Sequence, residues 1–350
     1  MSLLKTGNAW AARRTTGDDL RGVAHDPVIG LWVFVGRGAP VPFDGELLTI
    51  PGTSLVSGSP SFTGRFLSGN DELNSVAASG DGSFWAVGEN QETYHSIDGI
   101  TWTLFFMPGG LFDSKRIAFG QTELGGLYLV SGRNVLSRET SPGSFLWTVI
   151  DSSTHNQTDV ANDDGANWVS VGGTVGDGTI RTSTTGTSFL VPSSEFTELA
   201  EAVDWGGVWV VVGENGFIAT SLTGLTGSWG AQISPVSTDL LAVLHLDGQR
   251  WIAAGAGGVI LISNDHGQTW AQVGVGVTAE DMHAIAYDPI ADVAAVCGDG
   301  GVVLTSQPLE IGDLAPTPVA PEPLTANSRM IQEAIGRLAG QFRSGSGEPE

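Results

Sequence analysis

The chain has 350 residues, with 15 Lys plus Arg against 38 Asp plus Glu, a formal net charge of −23 at pH 7. That excess repels nucleic acid and anionic lipid, so no nucleic-acid partner is expected. A single cysteine, Cys297, excludes an intramolecular disulfide framework, and no apolar run reaches the roughly 18 residues of a membrane-spanning helix.

The N-terminal residues lack a long apolar core followed by a small-residue cleavage site, so no signal peptide is read there. Residues 6–10, Thr-Gly-Asn-Ala-Trp, resemble 266–270, His-Gly-Gln-Thr-Trp, which leads into the outer strand of a later unit. The N-terminus is therefore expected to supply a strand that the last unit lacks.

From residue 20 onward one pattern recurs: a β-rich stretch, an aromatic or aliphatic residue, then small apolar residues ending in glycine. The glycines are Gly36, Gly88, Gly132, Gly172, Gly213, Gly255 and Gly298, at successive steps of 52, 44, 40, 41, 42 and 43 residues. A period in the low forties with four short strands per copy is that of a propeller blade. Seven copies predict an all-β, seven-bladed β-propeller over 1–311, closed by the N-terminal strand.

First strands centre on Val23, Val76, Ile117, Val160, Val203, Val243 and Ile285. Second strands are read to carry Trp32, Trp85, Tyr128, Trp168, Trp209, Trp251 and Val293 at one shared position, large rings that would fill the wedge between blades. The longer first step reads as an insertion at 38–64, whose Phe43 and Phe62 are expected on the ring's edge or on a partner. Cys297 falls in a second strand and reads as inert packing.

Beyond the ring, 312–324 is Pro-rich and predicts an extended linker. A helix is expected over 325–343, with Ile331, Ile335, Leu338 and Phe342 on one face. That stripe must be buried on a partner, on a second copy through self-association, or on the ring. Residues 344–350 read as disordered.

Two turns carry the sequence Ser-x-Asp-(x)-Gly-x-Thr-Trp, with Asp98, Gly99 and Trp102 in one and Asp265, Gly267 and Trp270 in the other. They resemble the Asp-box (BNR-type) repeat, and the whole pattern resembles the seven-bladed photosystem II assembly-factor-like group, a kind of ring also found in tailed-bacteriophage particle proteins. The resemblance implies a structural role for these six residues, a protein-protein interaction module, and a virion component such as a phage tail or fibre protein attached through the C-terminal helix. It leaves a host-surface glycan open as a partner. The alternatives are a soluble, cytoplasmic assembly factor holding a client protein, or a glycan-binding or glycosidase propeller.

Chemistry-bearing residues are sparse in pattern. The histidines show no metal-ligand spacing, the arginines are spread over separate units without a recurring position, there are only three tyrosines, and no phosphate loop is present, so no catalytic residue, metal or cofactor is assigned. One recurrence stands out. An acid lies four residues before the first-strand anchor in five units: Asp19, Glu72, Asp113, Asp239 and Asp281, with Glu198 one place off in a sixth. Either each caps the turn into its strand, or the set forms an acidic rim that binds cations or a basic partner.

Overall fold

The computed structural model describes residues 10–15, 17–38, 45–56, 60–65, 67, 72–107, 113–122, 125–132, 135–139, 146–152, 156–190 and 193–306. These form seven antiparallel sheets of four strands. The innermost strands are Leu20–Asp26, Leu73–Ala78, Ser114–Thr122, Asn156–Asn162, Ala200–Trp205, Leu240–Asp247 and Met282–Asp288 in blades 1 to 7. Each packs beside the next, and that of blade 7 packs beside that of blade 1, so the sheets close into a seven-bladed propeller. The linker, the C-terminal helix with its four apolar residues, the tail and Phe43 lie outside the described residues.

The recurring glycine has a steric cause. A Cβ on Gly36 would lie 1.9 Å from the carbonyl oxygen of Asp19, and one on Gly213 would lie 2.1 Å from that of Leu199. That same carbonyl accepts the N–H of the residue after the glycine, as in Arg37 to Asp19 at 2.8 Å and Glu214 to Leu199 at 3.1 Å. The hairpin between first and second strands can close this tightly only without a side chain.

All seven hairpins also share a β-bulge one step further in. The pairing skips a residue between Leu20 and Gly22, Leu73 and Ser75, Ser114 and Arg116, Gln157 and Asp159, Ala200 and Ala202, Leu240 and Ala242, and Met282 and Ala284. A bulge re-aims its extra residue and twists the strand.

Blade-to-blade packing supplies the core. Trp32, Trp168, Trp209 and Trp251 are buried, each clustered with apolar residues of the preceding blade. Blade 2 departs from the sequence reading: its residue in this register is Phe84, which packs on Val33, Val35 and Leu47 of blade 1. Trp85, one residue later, faces the other side and meets Trp147 of blade 3 at 5.2 Å. Neighbouring strand residues point to opposite faces, so a one-residue misalignment reverses the assignment. By the same count from the marker glycine, blade 7 carries Ala294 rather than Val293, and Ala294 packs against Ile252 of blade 6.

The stretch read as an insertion is mostly blade 1's own outer half. It holds the third strand, Gly45–Pro51, a short helix, Gly52–Leu55, and the brief fourth strand, Thr63–Gly64. Phe62 turns inward and meets Phe34 edge-on at 5.6 Å. Ring closure follows expectation: Trp10–Arg14 pairs antiparallel with Val303–Ser306, Trp10 opposite Ser306. Cys297 is buried between blades 7 and 1, and burial pushes its thiol up to about 12.

Candidate functional site

The first and third strands of every blade run from one end of the ring, here the upper face, to the other. The upper face therefore carries the turns between second and third strands and the links between blades. The lower face carries the remaining turns.

The two Ser-x-Asp turns lie on the lower face. Asp98 Oδ1 accepts the N–H groups of Ile100 and Thr101, both at 2.7 Å, and Trp102 Nε1 donates to the Gly99 carbonyl at 3.1 Å. Asp265 Oδ1 likewise accepts from Thr269 N–H at 2.8 Å, and Trp270 Nε1 donates to Gly267 at 2.9 Å. Both glycines have positive φ, 67° and 75°, which the turn requires. Burial works against the Asp98 and Asp265 charges, but these bonds outweigh it and hold both carboxyls below their usual range.

The recurrent acids lie on the upper face, where three of them bolt blades together. Asp19 Oδ1 accepts Gly300 N–H at 3.0 Å, Asp239 Oδ1 accepts Asn215 N–H at 2.8 Å, and Asp281 Oδ1 accepts Gly257 N–H at 2.8 Å. Each acceptor reaches back to the left-handed turn residue of the preceding blade. Glu72 instead pairs with Arg37 of blade 1. Asp113 makes no comparable bond among the described residues.

The bulges turn a different set of residues toward the ring axis: Arg21, Asn74, Lys115, Thr158, Glu201, Leu241 and His283, one per blade. All seven line a cavity of about 470 Å³ at the upper mouth of the channel, together with Glu72, Glu89 and Arg116. Arg116 closes the floor. Its guanidinium donates to the bulge carbonyls of four other blades: Arg21 at 3.3 Å, Asn74 at 3.4 Å, Leu241 at 3.4 Å and His283 at 2.7 Å. The side chain thus spans the channel from blade 3. Four of its six counterparts are Gly22, Ala202, Ala242 and Ala284, which leave it the room.

Below Arg116 lies a second cavity of about 260 Å³, lined among others by Phe119, Asp159, Asp164, Asp204 and Trp205. Asp159 Oδ2 accepts the Val203 N–H at 3.0 Å and Asp204 Oδ2 accepts the His245 N–H at 2.7 Å, each across a blade boundary. Innermost strands have one edge without a ladder partner, and these carboxylates satisfy the N–H groups stranded there. Protein crowds both carboxyls on every side but the cavity. Burial pushes Asp159 up to about 6 against the nearby Arg116, and Asp204 up to about 7 against its N–H bonds.

At the mouth, Arg21 Nη1 meets His283 Nε2 at 2.7 Å, and that nitrogen also lies 2.8 Å from Asp299 Oδ1. Burial, with Arg21 adding to it, lowers the His283 pKa against the pull of Asp299. Glu201 is pushed up to about 7 by burial, with Glu214 and Asp239 adding to it and Arg116 and Lys115 opposing. Among the described residues no group of three or more His, Cys, Asp or Glu could hold a metal ion, and no helix is long and apolar enough to cross a membrane.

Sequence reasoning passed over Arg21, Lys115, Arg116, Glu201 and His283. The signal for Arg116 was present: it is a long cation where most copies carry Gly, Ser or Ala, one residue before the first-strand anchor.

No family model matches the sequence, and no curated protein sequence matches it. Solved structures do resemble the ring. YCF48 bound to D1 peptide is 22% identical with a TM-score of 0.66, covering 86% of this chain and 97% of that one. YCF48 from Cyanidioschyzon merolae is 16% identical with a TM-score of 0.64, covering 86% and 99%. The WD40 β-propeller domain of Doa1 is 11% identical with a TM-score of 0.66, covering 87% and 98%. What they share with this chain is the fold.

Proposed function

We propose that the ring is a non-catalytic module that holds a client protein by taking a peptide segment into the upper mouth of its channel. The observation that carries this reading is the blind cavity of about 470 Å³, walled by seven different bulge residues and floored by Arg116. A rigid, concave site with a few polar groups on an otherwise spent frame is suited to recognition. Five carboxylates around the channel are committed to the frame: Asp159 and Asp204 to backbone N–H groups, Asp19, Asp239 and Asp281 to neighbouring blades. The similar YCF48 structure contains a bound peptide, which agrees with this use of the fold. The resemblances favour client holding over a place in a phage particle, a role that depends on the C-terminal helix.

The chain's only lysines are Lys5 and Lys115, so amine acylation reads the mouth almost alone. A random peptide library is selected against the full chain, and each selected peptide is tested for protection of Lys115 from acetylation by mass spectrometry. Protection of Lys115 with Lys5 still reactive is expected. Peptides that bind while Lys115 reacts freely would sink the reading.

A further inference from the structure

The charged groups around the mouth are unequally committed. Arg21 is held by His283, Asp19 and Asp299, Glu72 is paired with Arg37, and Arg116 is spent on four carbonyls. Asn74 donates to the Ser114 carbonyl of blade 3 at 2.9 Å, and Thr158 to the Ala200 carbonyl of blade 5 at 2.6 Å. Of the bulge residues two charged ones remain: among the described residues, Lys115 on blade 3 is exposed and has no ion-pair partner, and Glu201 on blade 5 accepts no hydrogen bond, although both line the cavity.

The two lie on either side of blade 4, at the same bulge position, with Arg116 beneath. A segment of one sign would satisfy one of them and be repelled by the other. Resting on the client-peptide reading, we infer that the mouth selects a segment of opposite paired charges, a carboxylate for Lys115 and an ammonium or guanidinium for Glu201. Burial already penalises ionisation of Glu201, holding it at about 7, and an incoming cation relieves that penalty. The rest of the protein does not supply the discrimination. Its net charge of −23 favours any basic peptide. That long-range preference is screened beyond about 8 Å at physiological salt, while contacts in the cavity are not.

The test uses the full chain at pH 8, where Glu201 is ionised, and physiological salt. Short fluorescein-labelled peptides differ only in carrying one Lys and one Glu, two Lys, two Glu, or neither, and affinity is read by fluorescence polarisation. The Lys-Glu peptide is expected to bind about tenfold more tightly than any other, as one charge-assisted hydrogen bond allows. Lys115→Glu should move the preference to the two-Lys peptide, and Glu201→Lys to the two-Glu peptide. Glu201→Gln, nearly isosteric and neutral, should weaken the Lys-Glu peptide alone, which guards against a misfolded charge reversal. Binding that ignores charge pattern, or a preference unmoved by either reversal, overturns this inference and leaves the client-peptide reading standing. Failure of every peptide to bind overturns both.

Discussion

Arg116 is the residue on which the channel turns. A guanidinium serving four bulge carbonyls is hard to replace, because truncation strands acceptors that face the axis. Arg116→Met is expected to cost about 2–4 kcal/mol in chemical denaturation and to join the two cavities. Arg116→Lys, with fewer donors, should recover only part of this. The half-buried carboxyls of Asp159 and Asp204 give a pH signature. Asp159 and Asp204 have folded-state pKa values of about 6 and about 7, above the ordinary 3.8, so protonation favours the folded state. Their contribution is fully present at low pH and is lost as pH rises through those values. Asp98 and Asp265 act oppositely: held below the usual range, they stabilise above it and lose that effect as pH falls through their lowered values. Melting temperature should therefore peak near pH 4 and decline between about pH 4 and about pH 7. Asp204→Asn keeps an acceptor for the His245 N–H and should flatten the decline. An unchanged slope in that variant would show that general charge repulsion sets the pH response.

At the scale of elements, the hairpin with its glycine and its bulge is the repeating unit of construction. Gly213→Ala would place a methyl group 2.1 Å from the Leu199 carbonyl, and a loss of at least about 2 kcal/mol in urea unfolding is expected. The glycines were legible because they recur, and the structure supplies their reason. The bulges were not legible: a bulge changes pairing without changing composition, and its residues here are Arg, Asn, Lys, Thr, Glu, Leu and His. Function can vary most where the fold imposes no residue type, so the candidate site is the least patterned part of the repeat. The acids were found by their spacing but their use was not. Spacing along one chain segment does not show that Asp239 reaches a turn in blade 5. The Trp85 misreading has a similar origin, since Phe84 and Trp85 both suit a wedge and only the register separates them.

For the whole molecule, seven blades and the closing strand could be read from period alone, because a propeller repeats its core and each copy confirms the others. The charge distribution is less even than the repeat. Between residues 156 and 306 the basic residues are only Arg181 and Arg250, so blades 4–7 carry much of the acidity, and the mouth's cations Arg21, Lys115 and Arg116 come from blades 1 and 3. Closure is the global feature with the most direct test. Trp10 is buried with blade 6 and 7 residues and sits against Gly274. Trp10→Ala should cost about 3–5 kcal/mol. Removal of the first 15 residues should lower the melting temperature of the whole ring in one cooperative transition rather than unravel blade 7 alone.

Blade 7 joins the two ends of the ring sequence, with Arg13 Nε donating to Thr305 Oγ1 at 2.7 Å, 292 positions away along the chain. During synthesis Trp10–Arg14 is made before every other strand of the ring and its partner Val303–Ser306 after every other. Six blades can form in order while the seventh waits, its exposed edge open to any extended chain that passes. The ring is therefore completed only after translation has passed residue 306, and a chain stalled earlier would present an unsealed sheet to chaperones and proteases. Quality control of this ring would then amount to asking whether its first and last strands have met.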